Sequence, residues 1–500
     1  MLFLSQGRVG MTLVNVTLTT TILECLLFSG VVYGWTYIVD VLLDVGYFRY
    51  ICENPKGNVS TAFLYNSSVN STQESCYEAK SQLNLVYTVS VATCSTCTFF
   101  IGYAYDKWGT WFTRTFAIGM FIIASFIMIF GQVEQSWLLY PAMLLFSFGG
   151  SCLMICNFNL ANLSRKYRTT FVGIYSGAYD SSAVVFMLVK MVYDAGLTLP
   201  AIFVIYACCG ILCGVRTFIL TPRQRVPFPL PKRFIYGIVE FKRLVKRNVR
   251  GADADKDFST CESAMTSQES NVERRTFLQC LQDPFYWGNV AFMSVLHLRE
   301  VFFLGTVSSW LKSFSGGTSI DTLLFVCGIF TVMGILIAPF CGLLTDKLQR
   351  KFSGNTENGA ESMNAGMLAV AVTIGITSCV ASLFSLVVIF PVLEVQYVSF
   401  ALCTIFRGFL YSSTTSFVIL AYPTKHIGKL FGVLVTIFGV VTYLQYPLLN
   451  LALREGYELI NVGFLIASVL TSLQPVALFM HHRRKRLVRF DSKFATDCPG

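Results

Sequence analysis

Uncharged apolar runs long enough to cross a bilayer recur along the whole chain, and nothing else in the sequence constrains its fold as strongly. Residues 81–105, 136–164, 322–345, 362–393, 430–453 and 459–480 contain no Asp, Glu, Lys or Arg. Roughly 20 helical residues cover the ~30 Å hydrocarbon core. In lipid the backbone must satisfy its own N–H and C=O groups, which leaves helices or closed barrels. Barrel strands would alternate in polarity over about ten residues, and these runs do not alternate. The chain is therefore read as an all-α membrane protein. Composition agrees: 54% of its 500 residues are hydrophobic, 13% are charged, and the mean hydropathy is +0.59, which argues against a soluble fold.

Setting the apolar runs against the polar loops predicts twelve transmembrane helices, near 17–39, 83–105, 112–132, 138–161, 170–193, 199–220, 284–311, 322–344, 364–390, 395–421, 430–452 and 459–480. Six precede and six follow a polar stretch at 221–283. Two six-helix halves, 17–220 and 284–480, are the expected domains, flanked by a short N-terminal segment at 1–16 and a basic tail at 481–500. Lys and Arg crowd the segments before span 1 and after spans 2, 4, 8, 10 and 12. The alternate loops hold only Arg49, Lys56, Lys80, Lys312 and Arg454. The positive-inside bias places both termini in the cytoplasm, and the net charge of +10 serves topology, not nucleic-acid binding.

The first outer loop, 40–82, carries three N-x-S/T glycosylation acceptors, Asn58, Asn66 and Asn70, as a lumenal or extracellular loop would. Two further sequons, Asn15 and Asn162, fall on the inner side and are expected to stay bare. Cys52 and Cys76 share the outer loop and are expected to form a disulfide there. Most other cysteines lie inside spans as packing residues. Cys94 and Cys97 form a C-x-x-C without a second ligand pair, so no metal or other cofactor is expected. In the central loop Pro222, Pro227, Pro229 and Pro231 predict an extended connector. Residues 232–250 place Phe234, Ile238, Phe241 and Val245 at helical spacing among basic residues, the pattern of a helix lying on anionic inner-leaflet lipid.

Two short strings repeat in register between the halves. Gly102, Asp106, Lys107 and Gly109, with Arg114 beyond, follow span 2, and Gly342, Asp346 and Lys347, with Arg350 beyond, follow span 8. A Gly at a span end lets another helix approach, and an Asp four residues on can accept from a neighbouring helix N-terminus. Such a contact works as a latch, made in one conformation and broken in another. The doubled G-x-x-x-D-[RK] string resembles the loop motif of the major facilitator superfamily, although Thr110, Trp111 and Gln349 depart from it. Longer strings, Leu23-Glu24-Cys25 to Gly34-Trp35, Gly177 to Ser182, Pro227 to Pro231 and Tyr422 to Gly432, resemble solute carrier family 43. The Asp180-Ser181-Ser182 string with Lys190, the proline string and Phe409-Leu410-Tyr411 are more similar to that family's nucleobase branch than to its large neutral amino acid branch. The resemblance implies sodium-independent, facilitated movement of purine bases at the plasma membrane.

Ionisable groups at membrane depth usually face the bundle interior. Glu24, Asp180, Arg299, Glu300 and Arg407 are the first candidates for solute contact, all but Asp180 on spans 1, 7 and 10, which line the cavity in that superfamily. Lys190 and Arg216 sit near span ends and are read as snorkelling. Ser181, Ser182, Asn157, Asn159, Tyr33, Trp35 and Phe28 could supply the hydrogen bonds and aromatic plates that a purine needs, and His297 could be structural or carry a proton. The competing expectation is that Glu24, Glu300, Arg299 and Arg407 pair with one another and only hold the halves together. An amino acid uniporter on the same scaffold, or a solute-binding regulatory protein without turnover, are the alternatives. No H-E-x-x-H, G-x-S-x-G or phosphate-loop string supports an enzyme.

Overall fold

The computed structural model describes residues 2–53, 71–164, 166–228, 230, 236–237, 275–315, 320–353 and 359–484. The glycosylation acceptors Asn58, Asn66 and Asn70, nearly all of the basic stretch 232–250, and the Cys52 and Cys76 side chains lie outside what is described.

Eight helices among the described residues are long and apolar enough to cross a membrane, and the bent pair Leu13–Ser29 and Val31–Val45 forms a ninth crossing. One of the eight, within Ser71–Phe130, is really two helices: Gly109 sits at φ 78°, a conformation open to glycine, and divides span 2 from span 3. With the helices Asp321–Ser353 and Gln396–Ala421, all twelve expected positions are filled. The loop expected between spans 2 and 3 is thus a single residue.

Span 1 differs from its expected continuous helix. The α-helix gives way at Cys25–Ser29 to a π turn and at Val31–Gly34 to a 3-10 turn, and the two arms are bent by 54°. Span 5 is also interrupted, with a 3-10 turn at Ser181–Ala183 between Arg168–Asp180 and Val184–Asp194. The two breaks face each other. A Cβ at Gly30 would lie 2.5 Å from the Tyr179 carbonyl oxygen, and one at Gly34 would lie 2.4 Å from that of Ala183, so only glycine fits. The Ser182 hydroxyl accepts from the freed Gly30 N–H at 3.2 Å, and Gly150 of span 4 leaves room for the Ser29 carbonyl. Irregular backbone is tolerated at membrane depth when protein covers it in this way.

Each half has an aromatic interior. Phe28, Phe121, Phe146 and Tyr206 pack together in the first, and Phe303, Phe384, Phe400 and Phe406 in the second. Phe28 is therefore a packing residue, not a solute plate. The halves meet along two seams, span 2 against span 11 (Thr424–Ala452) and span 5 against span 8. The described part of the connector after span 6, 221–228, forms no helix and is pinned to both halves. Val226 N–H donates to Asn159 Oδ1 at 2.7 Å, Asn162 Nδ2 donates to the Val226 carbonyl at 3.0 Å, and Arg225 reaches the Lys425 carbonyl at 2.7 Å. Asn162 also accepts from Arg168 and is fully buried, a position no glycan could occupy.

Candidate functional site

The intramembrane charges separate into three groups, not the one network that mutual pairing of Glu24, Glu300, Arg299 and Arg407 would give. The first lies inside the N-terminal half. Glu24 pairs with both Arg114 of span 3 and Arg216 of span 6. Asn157 completes the cluster, donating to Glu24 Oε1 at 3.0 Å and accepting from Arg114 at 2.7 Å. Glu24 and Asn157 are thereby occupied by protein. Arg114 is an ion-pair partner and not part of a latch, and Arg216, which also binds Thr20, Thr21 and the Thr17 carbonyl, does not snorkel. Lys190 does sit at an exposed span end, paired with Asp40 at 2.7 Å.

Arg299 forms the second group alone. Its guanidinium is buried among the rings of Phe384, Phe464 and Phe303, at 4.7, 5.2 and 5.8 Å, and its Nε donates to Ser385 at 3.2 Å. It packs the C-terminal half and does not reach the seam between the halves.

The third group crosses between halves. Arg407 of span 10 lies 3.5 Å from Asp180 of span 5 and 3.0 Å from Glu300 of span 7. Tyr411 donates to Glu300 at 3.0 Å and touches His297 Nδ1 at 2.9 Å. Access decides which carboxylate can meet a solute. The Asp180, Arg407 and His297 side chains keep 12%, 17% and 15% of their surface accessible, against 2% for Glu24 and none for Arg114, while Arg216 keeps 12%. The Arg407 Nε is buried against Glu300 and makes its ion pair without hydrogen-bond alignment.

Asp180 sits at the break in span 5, and Tyr33 at the facing break in span 1. Tyr33 is 42% exposed, and its hydroxyl accepts from Tyr179 at 3.1 Å, the two rings meeting edge to face at 5.6 Å. Phe438 of span 11 closes on His297 at 4.6 Å. The site thus offers carboxylate, guanidinium, imidazole and aromatic surface. Paired helix breaks around a mid-membrane site are the arrangement through which transporters expose binding groups at that depth. Trp35 is buried on Tyr87, Ser182 holds the span 1 break, Ser181 is buried, and Asn159 holds the connector. These four support the site and do not line it.

Both loop motifs make the contacts their spacing predicts. Asp106 accepts from the backbone N–H groups of Gly428 and Lys429 at 3.1 and 2.9 Å, at the start of span 11. Asp346 accepts from those of Thr169 and Thr170 at 3.3 and 2.8 Å, and from the Thr170 hydroxyl at 2.5 Å, at the start of span 5. Lys107, Lys347 and Arg350 remain exposed on this basic end, Lys107 over Trp108 and Arg350 over Tyr167. An Asn has one acceptor oxygen where the carboxylate has two, so Asp106→Asn and Asp346→Asn each leave an N–H facing an amide NH2. Such a loss is worth about 1–3 kcal/mol. Both variants are expected to reach the surface normally and to transport more slowly, Asp346→Asn the more so because three donors converge on it. Unchanged initial uptake rates in both, against surface biotinylation, would remove the latch role.

Comparison with known proteins gives the same architecture. Residues 59–446 match the Major Facilitator Superfamily. The chain is 30% identical to equilibrative nucleobase transporter 1 of Bos taurus over 95% of this chain and 97% of that one. It is 24% identical to the large neutral amino acids transporter small subunit 3 of Homo sapiens, covering 93% of each. The solved proton:xylose symporter XylE shares its fold, with a TM-score of 0.54 over 95% of this chain and 96% of that one, at 14% identity. The chain belongs to the major facilitator superfamily, within solute carrier family 43, and is a facilitative membrane transporter, not an enzyme.

Proposed function

We propose that this transporter carries purine nucleobases such as adenine, guanine and hypoxanthine, independently of sodium, by alternating access across the plasma membrane. Both termini and the latch-bearing basic end face the cytoplasm in this reading. With both latches made, the cytoplasmic end is closed and the site opens outward. The observation that carries the proposal is the Asp180 and Arg407 pair bridging the halves beside Tyr33 and Tyr179. A purine has a flat apolar face for the tyrosines and an edge of N–H donors and ring-nitrogen or carbonyl acceptors for a carboxylate and a guanidinium. The nucleobase transporter of Bos taurus is also the more similar relative, at 30% identity against 24%.

The same opposite charges suit a zwitterion, which favours a large neutral amino acid as the second reading. Uptake of labelled adenine and labelled leucine, with and without sodium, separates the two. Adenine uptake unaffected by sodium is expected, and leucine uptake without adenine uptake would overturn the purine reading. Asp180→Asn should keep the shape of the site and weaken apparent adenine affinity about ten- to a hundredfold, the worth of a charge-assisted hydrogen bond. Asp180→Ala should lose nearly all uptake. Because Arg407 retains Glu300, surface abundance should hold in both variants, and wild-type affinity in both would eliminate Asp180 from the site.

A further inference from the structure

Tyr411 has one hydroxyl proton and two partners. It donates that proton to Glu300 Oε2, and its oxygen lies 2.9 Å from His297 Nδ1. With the proton spent on Glu300, the contact to His297 is satisfied only if Nδ1 is the donor. The hydrogen-bond network therefore assigns the imidazole as its Nδ1–H tautomer, and the lone pair falls on Nε2. Among the described residues Nε2 has no partner, while the ring keeps 15% of its surface accessible beside a Glu300 that keeps 3%. The charged and titratable groups around it are Glu300 on its own span, Tyr411 and Arg407 on span 10, and Asp180 on span 5. Phe438 packs on it from span 11 without charge, and Arg299, two residues on, turns away into its cage of rings.

Resting on the purine reading, we propose that His297 determines which purine is preferred: its Nε2 accepts a hydrogen bond from an exocyclic amino group on the six-membered ring. Glu300 sets this acceptor through Tyr411. Neutral His297 then favours 6-aminopurines over 6-oxopurines, because a carbonyl at that position faces a lone pair. Asp180 and Arg407 hold the rest of the ring and do not distinguish the two.

The test is the ratio of adenine to hypoxanthine uptake efficiency in cells expressing the full chain. It is measured at external pH of about 7.5. In the wild type the ratio should exceed one by about two- to tenfold, the worth of one neutral hydrogen bond. In His297→Gln, whose amide both donates and accepts, the ratio should lie near one at normal surface abundance. In Tyr411→Phe, which releases the tautomer, the preference for adenine should shrink. A wild-type ratio near one, or the wild-type ratio retained in His297→Gln, overturns the role of His297 while leaving purine transport intact. Uptake of neither purine overturns the purine reading itself, and this inference with it.

Discussion

Replacing Glu24 with Gln is expected to leave little folded protein at the cell surface. Among the described residues Glu24 is the one carboxylate paired with Arg114 or Arg216, and Glu24 and Arg114 are sealed between spans 1, 3 and 6, Arg216 keeping 12% of its side chain accessible. The substitution strands the Arg114 guanidinium at membrane depth, where neither water nor another acid can answer it, and leaves Arg216 without its acid. Breaking one buried pair from one side costs about 3–5 kcal/mol, a large share of the 5–15 kcal/mol or so that holds an ordinary domain together. Arg216→Leu should be milder, since Arg114 keeps Glu24 and Asn157. The readouts are surface biotinylation and thermal unfolding of the purified protein in detergent. Wild-type abundance and melting in Glu24→Gln would sink the structural assignment and return Glu24 to the list of solute contacts. The contrast with Asp180→Asn, expected to fold and fail only in binding, is the sharper test, because both residues are intramembrane carboxylates.

A second large effect is expected from one methyl group at Gly102 or Gly342. A Cβ on Gly102 would lie 1.9 Å from the Gly428 carbonyl oxygen, and one on Gly342 would lie 2.2 Å from that of Thr169. Both obstructions are backbone, so no side chain can rotate aside. The halves themselves must part at the basic end. Overpacking of this kind costs about 1–3 kcal/mol, which displaces the balance between conformations by about 5- to 150-fold. Gly102→Ala and Gly342→Ala should therefore populate the state open at that end. A cysteine introduced at Val226, buried in the clasped connector, would report this as faster maleimide labelling in inside-out vesicles. Labelling as slow as in the Gly background would mean that the close approach is not maintained in the resting protein.

Much of this was legible from residues alone because lipid leaves the backbone so few options. The absence of charge over about 20 residues marks a crossing whatever its neighbours are, and the repeated Gly and Asp strings identified both latches with their partners' chemistry. What apolar runs do not report is continuity of the backbone hydrogen bonds. The break in span 1 leaves its hydropathy unchanged, and the available signal was Gly30 and Gly34, one turn apart beside a serine. The same limit applied to the charges. Glu24, Asp180, Arg299, Glu300 and Arg407 were all singled out, but pairing depends on which face of which helix meets which neighbour. Arg216 looked like a span-end residue, and Arg114 like the tail of a motif, yet both belong to Glu24. Arg299 and Glu300 are adjacent in sequence and serve opposite purposes, one packing a core and one facing the seam, because successive helical residues point about 100° apart.

The ties across the seams differ in kind with depth. At the basic end the long-range partners are main chain apart from the Thr170 hydroxyl on Asp346: Asp106 takes the N–H groups of Gly428 and Lys429, Asp346 those of Thr169 and Thr170, Arg168 the Ile419 carbonyl and Arg225 the Lys425 carbonyl. At mid-depth the tie between Asp180 and Arg407 is side chain to side chain. The residues at 419, 425 and 429 can drift during evolution without removing the groups that seal that end. Arg407 and Asp180 can change only together. A lineage built on this scaffold is free to exchange its cargo by altering a few side chains around that pair, while the machinery that opens and closes it is inherited through the backbone.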